Sequence, residues 1–352
     1  MDIAQILTDA VAKEASDVFI VAGSPVAFRI GGAILPQEGG ALKPADTERL
    51  VREIYAAAGS DRLERFLSTG DADFSFSMRG VGRFRVNAYM QRGSQSAVLR
   101  VVRFELPDPD RLSIPGTVMR LADVKKGLVL VTGPAGSGKS TTLSCLIDRI
   151  NKTRNCHIVT LEDPIEFLHR HGKSIVSQRE IGADTDDYVR ALRAALRQSP
   201  NVILLGEMRD FETINIAMTA AETGQLVLST LHTVGAANTI DRIIDVFPPA
   251  QQHQIRVQLS MVLQAVVSQQ LIPAVGGGLV PAFEIMIVNS AIRNMIRESK
   301  VHQIDTVIHS GGGEGMVTMD ASLFKLYKDG LISADSAKLY CTSLDAMLRR
   351  LS

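Results

Sequence analysis

Eight consecutive residues constrain this chain more than any others: Gly133-Pro134-Ala135-Gly136-Ser137-Gly138-Lys139-Ser140. They satisfy the pattern GxxxxGK[ST], between an apolar strand-like run at 128–132 and a helical run that begins at Thr141. That context is what the pattern's mechanism requires. Glycines let the backbone close around phosphate oxygens with its N–H groups pointing inward, and the following helix adds partial positive charge. Lys139 then reaches the terminal phosphates, and Ser140 offers a hydroxyl to a divalent cation. Gly133, Pro134, Ala135, Gly136, Ser137, Gly138, Lys139, Ser140 and Thr141 are therefore candidate nucleotide contacts. Ser140 is the candidate metal-linked residue, and ATP with Mg²⁺ is the expected pair.

A loop of this kind sits at the edge of a parallel sheet, and the chain around it reads that way. Short continuous apolar runs at 157–161, 202–205 and 226–228 alternate with helical segments, the pattern of strands buried on both faces. Ligands bind at the carboxyl ends of such strands. Glu162 and Asp163 follow one run and Glu207 another, so these acids are expected to face the phosphate loop. Phosphoryl transfer to water needs a group that orients the water and groups that support Mg²⁺. Glu207 is the candidate for activating water, and Glu162 for polarising the same water or supporting the metal. Asp163 is a candidate nucleotide contact, although beside Pro164 it equally suits a turn. His232 follows the run 226–231, so it too lies at the crevice, as either a functional or a structural imidazole.

Upstream, helical spacing at 3–15, strands at 17–21 and 27–30, a helix at 44–58 and strand patterns at 73–78, 82–91 and 95–104 predict a small α+β domain with an antiparallel sheet. Pro107, Pro109 and Pro115 mark a linker. The expected plan is an N-terminal domain over 1–105, a linker over 106–118, an α/β core over 119–270, and a mainly helical part over 271–352 packed on that core. Helices are expected at 252–270, 291–300, 319–328 and 333–351.

Arg79, Arg83, Arg85, Arg92, Arg100 and Arg103 crowd the strand patterns of the first domain. Arg83 and Arg85 alternate with Phe84 and Val86, so the pair shares one strand face. They form either a solvated basic face or a face that lends a guanidinium to a neighbouring subunit's nucleotide, with Arg83 and Arg92 preferred. Lys+Arg and Asp+Glu both number 38, so no global charge draws the chain to nucleic acid. The arginines also lack the interleaved aromatics of a base-stacking surface. The three cysteines, Cys145, Cys156 and Cys341, are far apart with no CxxC pair, which argues for reduced thiols and against a zinc site. With no basic–apolar leader and no apolar run of spanning length, a cytoplasmic protein is expected.

Taken together, these stretches resemble the type II secretion/type IV pilus ATPase family. Gly133–Ser140 is its Walker A. Its Asp box resembles Val159-Thr160-Leu161-Glu162-Asp163-Pro164-Ile165-Glu166-Phe167, and its Walker B resembles Leu204-Leu205-Gly206-Glu207-Met208-Arg209-Asp210. Its His box resembles Ser229-Thr230-Leu231-His232-Thr233 leading to Asp241-Arg242-Ile243. The resemblance runs from the N-terminal helix to at least Glu298. It implies a PAS-like α+β domain ahead of a RecA-like P-loop ATPase domain, and a homohexamer with ATP between subunits. It also implies work against an inner-membrane pilus platform protein, alongside other pilus motor ATPases, at the inner face of the cytoplasmic membrane. Ala291-Ile292-Arg293-Asn294-Met295-Ile296-Arg297-Glu298 is similar to the AIRNLIRE box of pilus-retraction ATPases. Retraction, and with it twitching motility, is the implied output. An accessory subunit of low turnover is the alternative, and the intact Lys139, Ser140 and Glu207 argue against it. Gln225 and Val234 depart from the family, which usually has His and a polar residue there.

Overall fold

A computed structural model of the chain describes residues 2–59, 63–102 and 106–351. The fold separates into two compact units. One comprises Met1–Glu105 with Glu166–Leu168, the other Leu106–Ile165 with His169–Ser352.

In the first unit, helix α1 (Ile3–Ala12) leads into strands β1 (Asp17–Ile20), β2 (Ala27–Ile30) and β3 (Ala33–Pro36). Helices α2 (Pro44–Ala57) and α3 (Leu63–Thr69) come next, then β4 (Asp71–Met78), β5 (Gly82–Gln91) and β6 (Ser94–Val102). The strands form one six-stranded antiparallel sheet in the order β3-β2-β1-β6-β5-β4. Alternate residues of β5, Phe84, Val86 and Ala88, join Ile6 and Leu7 of α1 and Leu50, Ile54 and Tyr55 of α2 in the core. Helix α1 starts where the Asp2 carboxylate accepts the Gln5 N–H at 2.8 Å, satisfying one orphan donor of the first turn. The expected strand at 95–104 is β6 as far as Val102; Arg103 and Phe104 lie outside the described residues. Strand β3 and helix α3 carry no clear sequence signal and are additions.

The second unit opens with a short helix, α4 (Gly116–Arg120). Then follow β7 (Gly127–Thr132), α5 (Lys139–Thr153), β8 (His157–Glu162), β9 (Ile175–Glu180), α6 (Tyr188–Ala195), β10 (Val202–Leu205), α7 (Phe211–Glu222) and β11 (Leu226–Leu231). Next come α8 (Ala236–Asp245), α9 (Pro249–Val262), β12 (Leu263–Pro273), β13 (Leu279–Ile287), α10 (Ser290–Arg297), α11 (Ile304–Ser310), α12 (Met319–Lys328), α13 (Ala334–Tyr340) and α14 (Leu344–Leu351). The seven-stranded sheet runs β13-β12-β7-β11-β10-β8-β9, parallel except for β13. Its strands send alternate residues to two cores. Leu128, Leu130, Ile203, Leu205 and Val227 pack with α7 to α9, while Val129, Val131, Val202, Leu204 and Leu228 pack under α5. The α/β expectation holds.

The C-terminal plan needs correction. The expected helix at 252–270 ends at Val262, and the chain passes directly into β12, with Gln264-Ala265-Val266-Val267 beside β7. Without a glycine or proline between them, a short apolar run fits helix and buried strand alike. Strand β13 then pairs with β12 from Ala265↔Ile287 to Pro273↔Leu279, so a boundary at 270/271 would cut a hairpin. Part of the segment beyond 271 is therefore sheet, and helices α12 to α14 pack against Ile272 and Ala282 of that hairpin. The expected linker 106–118 belongs to the second unit. Its turns are closed by Leu112 N–H to Asp108 O (3.1 Å) and Ile114 N–H to Pro109 O (2.9 Å), and Ile114 is buried in the core under α5. Among the described residues no helix is long and apolar enough to cross a membrane.

Candidate nucleotide site

The phosphate loop joins β7 to α5 as its sequence predicts. Gly133, Gly136 and Gly138 have φ of 139°, 76° and 86°, a region that side chains disfavour. A Cβ on Gly133 would lie 2.1 Å from the Gln269 carbonyl oxygen, and one on Gly138 would lie 2.8 Å from Gln269 Nε2. Strand β12 presses on the loop from one side, and only glycine allows it. Lys139 is buried, its Nζ donating to the carbonyls of Gly133 and Pro134 at 2.8 Å each, so the cation sits within the loop's own curve. Pro134, Ala135, Gly136 and Ser140 are exposed along the rim. Two features fit a phosphate group. Among the described residues the Ser137 hydroxyl is buried without a partner, and the N-terminus of α5 has no side-chain cap to occupy its first N–H groups. Ser140, at the open end of that helix, suits Mg²⁺ shared with phosphate.

The parallel register brings the ends of neighbouring strands to one edge: Thr132 pairs with Leu231, and Leu205 with both Ser229 and Leu161. Glu162, Asp163, Glu207 and His232 all follow from that edge. Glu207 forms an ion pair with Arg209, and its Oε2 lies 3.3 Å from His232 Nε2. Its side chain is only 12% exposed against 57% for His232, so the carboxylate is the anchored member of the pair. Glu162 accepts from Thr160 Oγ1 at 2.6 Å and from Gln178 Nε2 at 3.1 Å, both through Oε1. Asp163 is exposed.

Tyr188 was not anticipated, because a tyrosine opening a helix after Asp187 looks like a surface residue. Its hydroxyl lies 2.8 Å from where a Cβ of Gly206 would be, with Leu161 O at 3.3 Å and Glu162 Cα at 3.5 Å from the same point. Burial raises the Tyr188 phenol pKa, and the nearby Asp163, Glu207 and Glu162 carboxylates raise it further while Arg209 opposes them. Tyr188 thus stays a neutral phenol beside these carboxylates. Arg209, whose place in the Walker B stretch carries no local signal of a role, is the second such residue, through its ion pair with Glu207.

Beside the phosphate loop lies a cavity of about 270 Å³ lined by Arg111, Ser113, Thr141, Thr142, Gln269 and Leu279, among others. Its inner wall belongs to the expected linker and to the β12–β13 hairpin, which sequence patterning had assigned elsewhere. Gln225 precedes β11, opposite Gly127 at the start of β7, whereas His232 follows the end of β11. It is therefore remote from the phosphates, and its amide oxygen accepts from Thr223 Oγ1 at 2.8 Å. Arg83 and Arg92 lie in the first unit. Arg83 is on β5, where Nη1 is 3.4 Å from Ser77 Oγ, and Arg92 is exposed in the β5–β6 turn with φ 49°. The 291–298 box forms α10: Ile292 and Ile296 are buried, and Arg293 Nη1 donates to Ser260 O at 2.6 Å and Met261 O at 3.0 Å.

Known proteins resemble this chain along nearly its whole length. The chain is 47% identical, over 96% of its length and 97% of the relative's, to a protein of Pseudomonas aeruginosa named type IV pilus retractation ATPase PilT. It is 37% identical to the type IV pilus ATPase PilU of the same organism, covering 97% of this chain and 89% of the relative. A crystal structure of the pilus retraction motor PilT with bound ADP superposes with a TM-score of 0.90 at 46% identity, covering 99% of both chains. The family model described as Type II/IV secretion system protein matches residues 1–309, and this chain belongs to that family.

Proposed function

We propose that this chain is an ATP-hydrolysing motor that works as a homohexameric ring and powers type IV pilus retraction, the movement behind twitching. The hydrolytic half of that reading is carried by one observation: Glu207, fixed at the end of β10 by Arg209 and His232, on the sheet edge where β7 delivers the phosphate loop. The retraction half is supported by the relative named for retraction, 47% identical across nearly the whole chain.

In this reading Gly133–Thr141 and Lys139 bind the phosphates, and the 270 Å³ cavity receives the base. Glu207 orients the attacking water and accepts its proton. Glu162, held by Thr160 and Gln178, polarises the same water, with Tyr188 donating within the carboxylate cluster. His232 registers the terminal phosphate by exchanging its contact with Glu207. Ser140 would hold Mg²⁺ together with the phosphates, and the ion supplies charge neutralisation on the transferred group. Arg83 and Arg92 act on the nucleotide of a neighbouring subunit. With β3 set aside, the order β2-β1-β6-β5-β4 under helices supports a PAS-like first unit, and the parallel sheet supports a RecA-like second. The ring works on an inner-membrane platform protein at the cytoplasmic face.

Steady-state ATP hydrolysis by the full chain and by Glu207→Gln tests this. The substitution should retain ATP binding and lower turnover by roughly 10²–10⁴-fold. Normal turnover by Glu207→Gln would refute its assignment, and negligible turnover by the unaltered chain would favour an accessory subunit.

A further inference from the structure

The assigned site accounts for the phosphate loop and the carboxylates but leaves one buried side chain without a role. Gln269 on β12 is 4% exposed and meets the loop at two points and the helix behind it at a third. Its backbone carbonyl is what excludes a Cβ at Gly133, and its Nε2 is what excludes one at Gly138. Its Oε1 accepts from Thr142 Oγ1 on α5 at 2.7 Å across 127 residues of chain. One residue therefore braces both ends of the loop and the first turn of the helix behind it. The amide nitrogen is different: among the described residues it donates to no protein acceptor, and Gln269 lines the cavity beside Thr141. The cavity is open to this donor, and a polar group placed on the wall of a binding site is where a ligand atom can be fixed.

We propose that Gln269 is a positioning residue for the phosphate loop and that its Nε2 amide donates to the bound nucleotide at the phosphate–ribose end. The inference rests on the nucleotide reading above. The loop reaches toward the terminal phosphates through Lys139, whereas Gly138, Thr141 and the cavity lie on the side where the base would extend. ADP and ATP should therefore feel Gln269 equally. Sequence could not show this, because 252–270 reads as helix, and a glutamine in a helix is ordinary.

The test is calorimetric titration of the full chain with ADP and with a non-hydrolysable ATP analogue, with thermal melting in parallel. Thr142→Val removes the brace but keeps the amide donor. Gln269→Met, of similar length and uncharged, removes both, and Gln269→Glu keeps an oxygen for Thr142 but replaces the donor. A hydrogen bond to a charged acceptor corresponds to roughly ten- to a hundredfold in affinity. Gln269→Met and Gln269→Glu should weaken both nucleotides by that factor, well beyond Thr142→Val, and the KM for ATP should rise more than kcat falls. If the Gln269 variants bind no worse than Thr142→Val, the donor role is wrong. Loss for the ATP analogue alone would likewise overturn the phosphate–ribose placement. Should Gln269→Glu not fold, the Gln269→Met and Thr142→Val comparison decides by itself. If the unaltered chain binds neither nucleotide, the nucleotide reading fails rather than this one.

Discussion

Acidification should destabilise the second unit through one histidine. His169 follows β8, and its Nε2 lies 3.4 Å from Ser144 Oγ on α5, while its Nδ1 is buried with no partner among the described residues. A proton added to this ring would place a charge in a largely desolvated site where Nδ1 has no acceptor among the described residues. Burial accordingly lowers its pKa to about 4, against a weaker opposing pull from Asp148. In the unfolded chain an imidazole titrates near 6.5. Between those two values the unfolded state binds a proton that the folded state refuses, so stability rises with pH in that window. It is fully present above 6.5, falls as the pH drops, and stops falling below about 4. From pH 7 to pH 5 the loss from this residue is about 2 kcal/mol, which for a unit of this size is roughly 4–8 °C in Tm. Melting curves of the chain and of His169→Gln at both pH values isolate the effect, because every other titrating group is common to both. The substitution should lower Tm at pH 7 yet remove several degrees of the acid-induced drop. If the two proteins lose Tm in parallel between pH 7 and pH 5, the buried neutral imidazole is not what the structure describes.

Two other predictions follow from close contacts. Gly206→Ala should destabilise by roughly 1–3 kcal/mol in melting experiments, because its Cβ would meet the Tyr188 hydroxyl at 2.8 Å; adding Tyr188→Phe should restore part of the loss. Gly133→Ala should abolish nucleotide binding in the same calorimetric titration, since no side-chain rotation can relieve a Cβ placed 2.1 Å from the Gln269 backbone carbonyl.

What the sequence discloses and what it hides divide along physical lines. Phosphate loops and strand-end acids are local: spacing along one element fixes where they point, so Lys139, Glu162, Glu207 and His232 could be named with their strand ends. Tyr188 and Gln269 owe their positions to long-range packing, Tyr188 to the missing side chain of Gly206 and Gln269 to the register of β12 against β7. No local period carries that information. β9 was invisible because it is the sheet's edge: Ser177-Gln178-Arg179-Glu180 are polar, and only the Val176 position is apolar and buried. β12 is hidden for another reason, being buried along most of its length and continuous with a helix. Gln225 carries a further lesson, since a departure from a family motif matters only at the end of the strand where the ligand binds.

The box at 291–298 carries the resemblance to retraction ATPases, and the structure divides it in two. Ile292 and Ile296 belong to the core of the second unit, and Arg293 caps α9 by donating to Ser260 O and Met261 O, carbonyls left over at that helix end. Changes there act through stability: Arg293→Ala should cost about 1–3 kcal/mol and a measurable fall in Tm. Ala291, Asn294, Arg297 and Glu298 are exposed, and Arg297 donates to Asn294 Oδ1 one turn away. A partner that recognises the box can read only this second set. Asn294→Ala with Arg297→Ala should therefore leave Tm within about 1 °C while reducing pilus retraction in a complemented retraction-deficient strain. Normal retraction by that double variant would mean that the box is a packing element, and that its resemblance to retraction motors reports how α10 supports α9 rather than what the motor touches.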